Sequence, residues 1–175
     1  ALGQPMIYMG KEFGINRDAN DINVEKITPD PNCPASDSFY NPFYNWAQGL
    51  INLRKKYKAL RISGFNPIET DQFRWLLGPW LKESQGESKK VIGWQTKDEA
   101  GENELFVLLN FSGAEIDVIL EFEAEEGVWA CIADLTAIND LSKEELQKTN
   151  NLLKVKDKKA SFKLPAYSGF IYKKI

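Results

Sequence analysis

The chain has 175 residues, 43% of them hydrophobic and 27% charged, with a net charge of -3. That length holds one domain or one and a piece, in an ordinary globular composition. The slight acidity and the scattered lysine pairs (Lys55/Lys56, Lys89/Lys90, Lys158/Lys159, Lys173/Lys174) give no basic face for nucleic acid, and the lack of any histidine excludes Ser-His-Asp triads and histidine-rich zinc sites within the chain.

The first element is a strand. Pro5-Met-Ile-Tyr-Met9 is an apolar run bracketed by Gly3 and by Gly10/Gly14, which suits a strand covered on both faces, as in parallel sheets and barrels. No full helix precedes it, and a lone strand makes no sheet, so the chain reads as the tail end of a larger protein. Gly10 and Gly14 suit the bend that leaves the strand. A polar loop follows over about 15–38, where Pro29, Pro31 and Pro34 forbid helix or central strand.

A helix is expected next, running to Arg61. Asn41 suits its cap and Pro42 its first position. Phe43, Trp46/Ala47, Leu50, Leu53 and Tyr57 recur at three- and four-residue steps, so one stripe faces a core. Arg54, Lys55, Lys56 and Lys58 suit the negative end of that helix. Gly49 costs up to about 1 kcal/mol mid-helix, a cost that a close packing contact would rationalise.

From about Ile62 the pattern changes to β. Strands are expected at Phe73–Leu77, Val91–Gln95, Leu105–Phe111, Ile116–Phe122, Val128–Ile132, Leu152–Val155, Ala160–Leu164 and Gly169–Lys173. Turn signals at Gly101-Glu-Asn103, Ser112-Gly113, Glu126-Gly127 and Lys156-Asp157 separate several of them, and short strands with close turns fit a β-sandwich. Ser142-Lys-Glu-Glu145 fits a capping box opening a short helix to about Thr149. Cys33 falls in the loop and Cys131 in a strand, a spacing that supports free thiols rather than a disulfide framework. No apolar run approaches the roughly 20 residues of a bilayer span, and no signal-peptide pattern is present.

The pattern Gly3-x-Pro5-x-Ile7-Tyr8-x-Gly10-x-Glu12 resembles the eighth barrel strand of the α-amylase family of glycoside hydrolases. The helix ending Gly49-Leu-Ile-Asn-Leu-Arg-Lys-Lys-Tyr-Lys-Ala-Leu-Arg61 resembles the one that closes that barrel, before a C-terminal β-sandwich. The fold class implied is mainly β: residues 1–62 as the end of a (β/α)8 barrel, with its last strand, long loop and last helix, and 63–175 as an antiparallel β-sandwich. The helix and tail most resemble pullulanase and related debranching enzymes. Glu12-Phe13 is followed here by Gly-Ile-Asn-Arg, though, rather than the Leu-Arg-Thr-Lys of many pullulanases, and branching enzymes share Met-Gly-x-Glu-Phe-Gly.

The resemblance implies a parent enzyme that cleaves or transfers α-glucosidic bonds through a covalent glycosyl-enzyme, with a leaning to α-1,6 debranching. Its three catalytic acids arise from barrel strands four, five and seven, ahead of this chain, so no catalytic residue is assigned and the chain alone is expected to be inert. Glu12 is read as holding the loop rather than touching substrate, with Tyr8 in the core. Asn16, Arg17, Asp18, Asn20, Asp21 and Asn23 are candidates for sugar contact, since planar polar side chains recognise sugar hydroxyls, although the same residues suit turns. They lack the regular calcium loop, so no metal and no cofactor is expected. Among Trp75, Trp80, Trp94 and Trp129, Trp80 in Gly78-Pro-Trp-Leu81 is the candidate for stacking on sugar, and Trp94 and Trp129 are expected in the core. The partners implied are an α-glucan and the rest of the barrel, with no nucleic acid and no membrane. A second reading is a carbohydrate-binding or structural β-module. A third is an interaction fragment that self-associates through apolar barrel surface.

Overall fold

The computed structural model describes residues 40–61, 72–78, 90–139, 141–149 and 151–175, with side chains described from Asn45 onward. The expected first strand with Gly3, Pro5, Tyr8, Gly10 and Glu12, the polar loop with Asn16, Arg17 and Asp21, Cys33 and Trp80 all lie outside the described residues.

Helix α1 (Tyr40–Lys56) is followed by a 3-10 turn (Lys58–Leu60) and then by strands β1 (Phe73–Leu77), β2 (Val91–Lys97), β3 (Glu104–Asn110), β4 (Ile116–Glu121) and β5 (Gly127–Ala133). A short helix α2 (Lys143–Leu146) precedes β6 (Leu152–Val155), β7 (Lys159–Leu164) and β8 (Ser168–Lys174). All the expected strands of the tail form, with ends within two residues of those read from the sequence. Six strands make one sheet in the order β1-β2-β3-β8-β5-β6, and β4-β7 make a second. Among the described residues every pairing is antiparallel. The fold is an antiparallel β-sandwich with a helical layer added.

The inner core lies between the sheets. Phe106 and Leu108 of β3, Trp129 and Cys131 of β5 and Tyr172 of β8 meet Val118 and Leu120 of β4 and Ala160 and Leu164 of β7. Strand β4 alternates buried and exposed residues because only one of its faces is covered. Strand β3 is buried almost continuously from Leu105 to Asn110, because its other face meets a second cluster. There Leu105, Val107, Ala130 and Ile132 pack against Leu53, Tyr57, Ala59 and Leu60 from α1 and the 3-10 turn, and against Leu146 of α2. The six-stranded sheet is the middle layer of three.

Three local details refine the sequence reading. Helix α1 ends at Lys56, not at Arg61, and starts before Pro42, so Asn41 lies inside it. It stops early because Tyr57 turns to an extended backbone (φ -98°, ψ 108°) and buries its ring in the second cluster. The guanidiniums of Arg54 and Arg61 then donate to the carbonyls of Leu60 and Lys55, satisfying groups a helix end leaves open. Helix α2 has the expected capping box at Ser142 and Glu145 but ends at Leu146, whose carbonyl accepts from the Thr149 hydroxyl at 2.8 Å. Between β6 and β7, Asp157 and Lys158 both take positive φ (51° and 63°), a two-residue turn that carries the chain from one sheet to the other.

Candidate functional site

The most elaborately built surface among the described residues is the seat of helix α1. The stripe Leu50, Leu53 and Tyr57 reaches the outer face of the sheet, where β3, β5 and β8 present Val107, Ile132 and Ile171. Trp46 Nε1 donates to the Asp134 carbonyl at 2.9 Å, tying the helix to the end of β5. The Asp134 carboxylate in turn accepts from the Thr136 amide and hydroxyl at 2.6 and 2.7 Å and from the Ala137 amide at 2.8 Å. Burial opposes ionisation of Asp134, but the Thr136 hydroxyl and these amides outweigh it and hold the carboxyl below its ordinary value.

That turn carries Ile138 onto the helix at Gly49. A Cβ on residue 49 would stand 2.7 Å from Ile138 Cδ1, so the glycine supplies a close approach that alanine would crowd. This is the packing contact that a mid-helix glycine called for. At the helix end the Tyr57 ring lies under two ammonium groups, Lys173 Nζ at 4.9 Å and Lys56 Nζ at 5.5 Å from its centroid. Indole, glycine and phenol thus fix the helix at three heights.

The best-held carboxylates all serve structure. Asp98 accepts from the Glu102 amide at 2.9 Å and from the Asn103 side chain at 2.8 Å, closing the β2–β3 turn. The Asn103 side chain is the main cause holding its carboxyl below the ordinary value, against the effect of burial. Glu104 accepts from Lys174 Nζ at 2.6 Å and from the Gln95 amide. Among the described residues no group of three or more Cys, Asp or Glu side chains is placed to hold a metal ion. Cys131 is a free buried thiol, pushed up to about 11 by burial first and by the Asp134 charge second. These groups can hold elements together; none is paired for acid–base work.

The tryptophans separate. Trp129 is buried between Phe106 and Phe122, with centroids at 4.9 and 5.4 Å, and offers no face to a ligand. Trp75 and Trp94 pair across β1 and β2 at 6.4 Å, edge to face and half-buried. Of the sugar-contact candidates, Asn16, Arg17, Asp21 and Trp80 lie outside the described residues.

A residue the sequence reading passed over is Asn110, 2% exposed. Its Nδ2 donates to the carbonyls of Pro165 and Ala114 at 2.8 and 2.9 Å and lies 3.2 Å from that of Leu164. Its Oδ1 accepts from the Ser112 amide and hydroxyl at 2.8 and 2.7 Å. One amide therefore locks the β3–β4 turn to the β7–β8 turn. The signal was an asparagine ending the apolar run Leu105–Leu109, directly before Phe-Ser-Gly.

No protein-family model matches the sequence, and no curated protein matches it. Solved structures do. The structure titled as GBS pullulanase SAP in complex with maltotetraose is similar at a TM-score of 0.54 and 18% identity, over 79% of this chain and 17% of that one. An Anoxybacillus alpha-amylase is similar at 0.46 and 17%, over 75% of this chain and 22% of that one. An isomaltulose synthase from Erwinia rhapontici NX5 is similar at 0.43 and 16%, over 75% and 18%. The pullulanase likeness shows a shared fold. The chain spans about a fifth of the length of the structures it resembles.

Proposed function

We propose that this chain is the C-terminal part of an α-amylase-family glycoside hydrolase acting on α-glucans. Residues 1–62 then form the end of the catalytic barrel and 63–175 the sandwich behind it. The observation that carries the reading is the seat of α1: a sandwich sheet has its outer face covered by α1 together with the 3-10 turn and α2, in a fold shared with a much longer pullulanase. The motif Gly3-x-Pro5-x-Ile7-Tyr8-x-Gly10-x-Glu12 supports it from the sequence side.

In this reading the sandwich is a buttress. It fixes α1 from behind, and α1 fixes the last barrel strand and the loop with Asn16, Arg17 and Asp21, which faces the substrate cleft as loops at the C-terminal ends of barrel strands do. The parent hydrolyses α-glucosidic bonds with retention, and the helix and tail lean toward α-1,6 debranching. The chain contributes support and sugar contacts, and the catalytic carboxylates come from the rest of the barrel.

The test is hydrolysis of pullulan and amylose, by the 175-residue chain and by the full-length protein that contains it. Expected is no turnover by the chain and release of maltotriose from pullulan by the full-length protein. Turnover by the chain, or a full-length protein inert on every α-glucan, overturns the reading; cleavage of amylose alone replaces α-1,6 with α-1,4 specificity.

A further inference from the structure

We propose that Tyr167, with Phe111 on the same rim of the sandwich, forms an aromatic stacking surface for α-linked glucose units; the choice of ligand rests on the α-glucan reading above. Both side chains stand in solvent, Phe111 61% and Tyr167 68% exposed. They occupy the two turns that Asn110 locks together, and the Tyr167 amide donates to the Ser112 carbonyl at 3.0 Å. Phe111 directly follows, and Tyr167 directly precedes, the last pair of the β3–β8 ladder, Asn110 with Ser168.

The backbone of Tyr167 argues against a casual surface residue. Its φ is +49°, the left-handed region where glycine or asparagine is at ease and an aromatic residue is not. Its ring lies against Gly113: a Cβ built there would be 3.0 Å from the phenol oxygen and 3.4 Å from Cζ, so the glycine leaves the ring a seat. Strain held by a surrounding network is a mark of function. The Asn110 amide, and the Ser168 hydroxyl donating to the Pro165 carbonyl at 2.6 Å, make that network rigid before any ligand arrives, which lowers the ordering cost of binding.

The surroundings select the ligand class. Residues 111–114 and 165–168 read Phe-Ser-Gly-Ala and Pro-Ala-Tyr-Ser, with no charged side chain in a sequence that is 27% charged. The nearest charges are of both signs, Lys90, whose carbonyl accepts from the Phe111 amide at 2.9 Å, and the Lys163–Glu115 pair at 3.0 Å, so the rim gathers no cluster of one sign for a phosphate or a charged peptide. Two small turns offer far less than the roughly 800 Å² per partner of a stable protein interface. A flat phenol with a polar tip fits a neutral pyranose, whose C–H face is apolar and whose edge carries hydroxyls.

The experiment is calorimetric and NMR titration of the 175-residue chain with maltoheptaose, with β-linked cellopentaose as comparison. It is repeated for Tyr167→Gly, Tyr167→Trp and Phe111→Ala, with thermal melting of each. Tyr167→Gly relaxes the backbone while removing the ring, so it is expected to melt no lower than the parent yet bind maltoheptaose about tenfold more weakly, the scale of one lost aromatic anchor. Tyr167→Trp is expected to retain binding, and Phe111→Ala to weaken it less. Maltoheptaose binding that neither Tyr167→Gly nor Phe111→Ala weakens overturns the surface and leaves the α-glucan reading standing. Tyr167-dependent binding of cellopentaose alone keeps the surface and overturns the α-glucan assignment. No binding of either sugar overturns the surface.

Discussion

Strands β3 and β4 are neighbours in sequence and opposites in structure. Strand β3 belongs to a sheet covered on both sides, so Phe106 and Leu108 meet one core while Leu105 and Val107 meet another. Strand β4 belongs to the two-stranded sheet, so Val118 and Leu120 are buried while Asp117, Ile119 and Glu121 face water. The outer face of that small sheet carries ion pairs instead, Lys159 with Glu121 and Lys163 with Glu115. Exposed pairs of this kind contribute little stability, but charges there discourage edge-to-edge association. A sandwich needs one covered face per sheet, so the second covered face of the large sheet is surplus to the sandwich and is taken up by α1, the 3-10 turn and α2.

The largest expected contrast tests that division. Leu105→Ala should cost about 2–5 kcal/mol, the range for emptying a buried leucine site, while Ile119→Ala should stay within about 0.5 kcal/mol. Urea unfolding midpoints compare the two, and equal losses would erase the distinction between the sheets. Next comes Asn110→Ala, which takes the acceptor from the Ser112 amide and breaks the link between the two turns, while the Pro165 and Ala114 carbonyls keep the Ser168 and Ser112 hydroxyls. A loss of about 2–3 kcal/mol is expected in the same assay, and Asn110→Asp should do no better, because a carboxylate cannot donate to those carbonyls.

A smaller effect separates the regions by pH. Asp134, beneath α1, has a depressed carboxyl in the folded state. Its contribution is therefore complete above the ordinary aspartate value, near pH 3.9, and is lost as pH falls through the lower folded value. Asp134→Asn keeps an acceptor oxygen for Thr136 and Ala137 but cannot titrate, so its stability should fall less steeply below pH 4. Identical slopes for the two proteins would remove Asp134 from the account. The smallest effect is at Gly49. Alanine there should change stability by less than about 1 kcal/mol, because gained helix propensity is offset by the Ile138 Cδ1 contact. In an Ile138→Val background that atom is gone, and Gly49→Ala should then stabilise by about 1 kcal/mol. A gain that does not depend on residue 138 would refute the close approach.

The strands, their turns, the α2 capping box and the stripe on α1 were all legible in the sequence, because each rests on neighbours in the chain: period-two or period-three-to-four apolar spacing, and side chains that bond their own backbone. The free state of Cys131 was legible too. The early end of α1 was not, since Tyr57 leaves the helix for a pocket built by distant strands. Neither was the role of Asn110, whose partners at Leu164 and Pro165 lie more than fifty residues away. The contact that explains Gly49 comes from Ile138, across an even longer stretch of chain. The sequence by itself determined which segments would be strand or helix and that the tail would be a sandwich. Only the tertiary structure decided which sheet would be covered twice, which turns would be locked together and which aromatic rings would stay in water. Burial on a second face depends on what the rest of the chain brings there, and no local period records it.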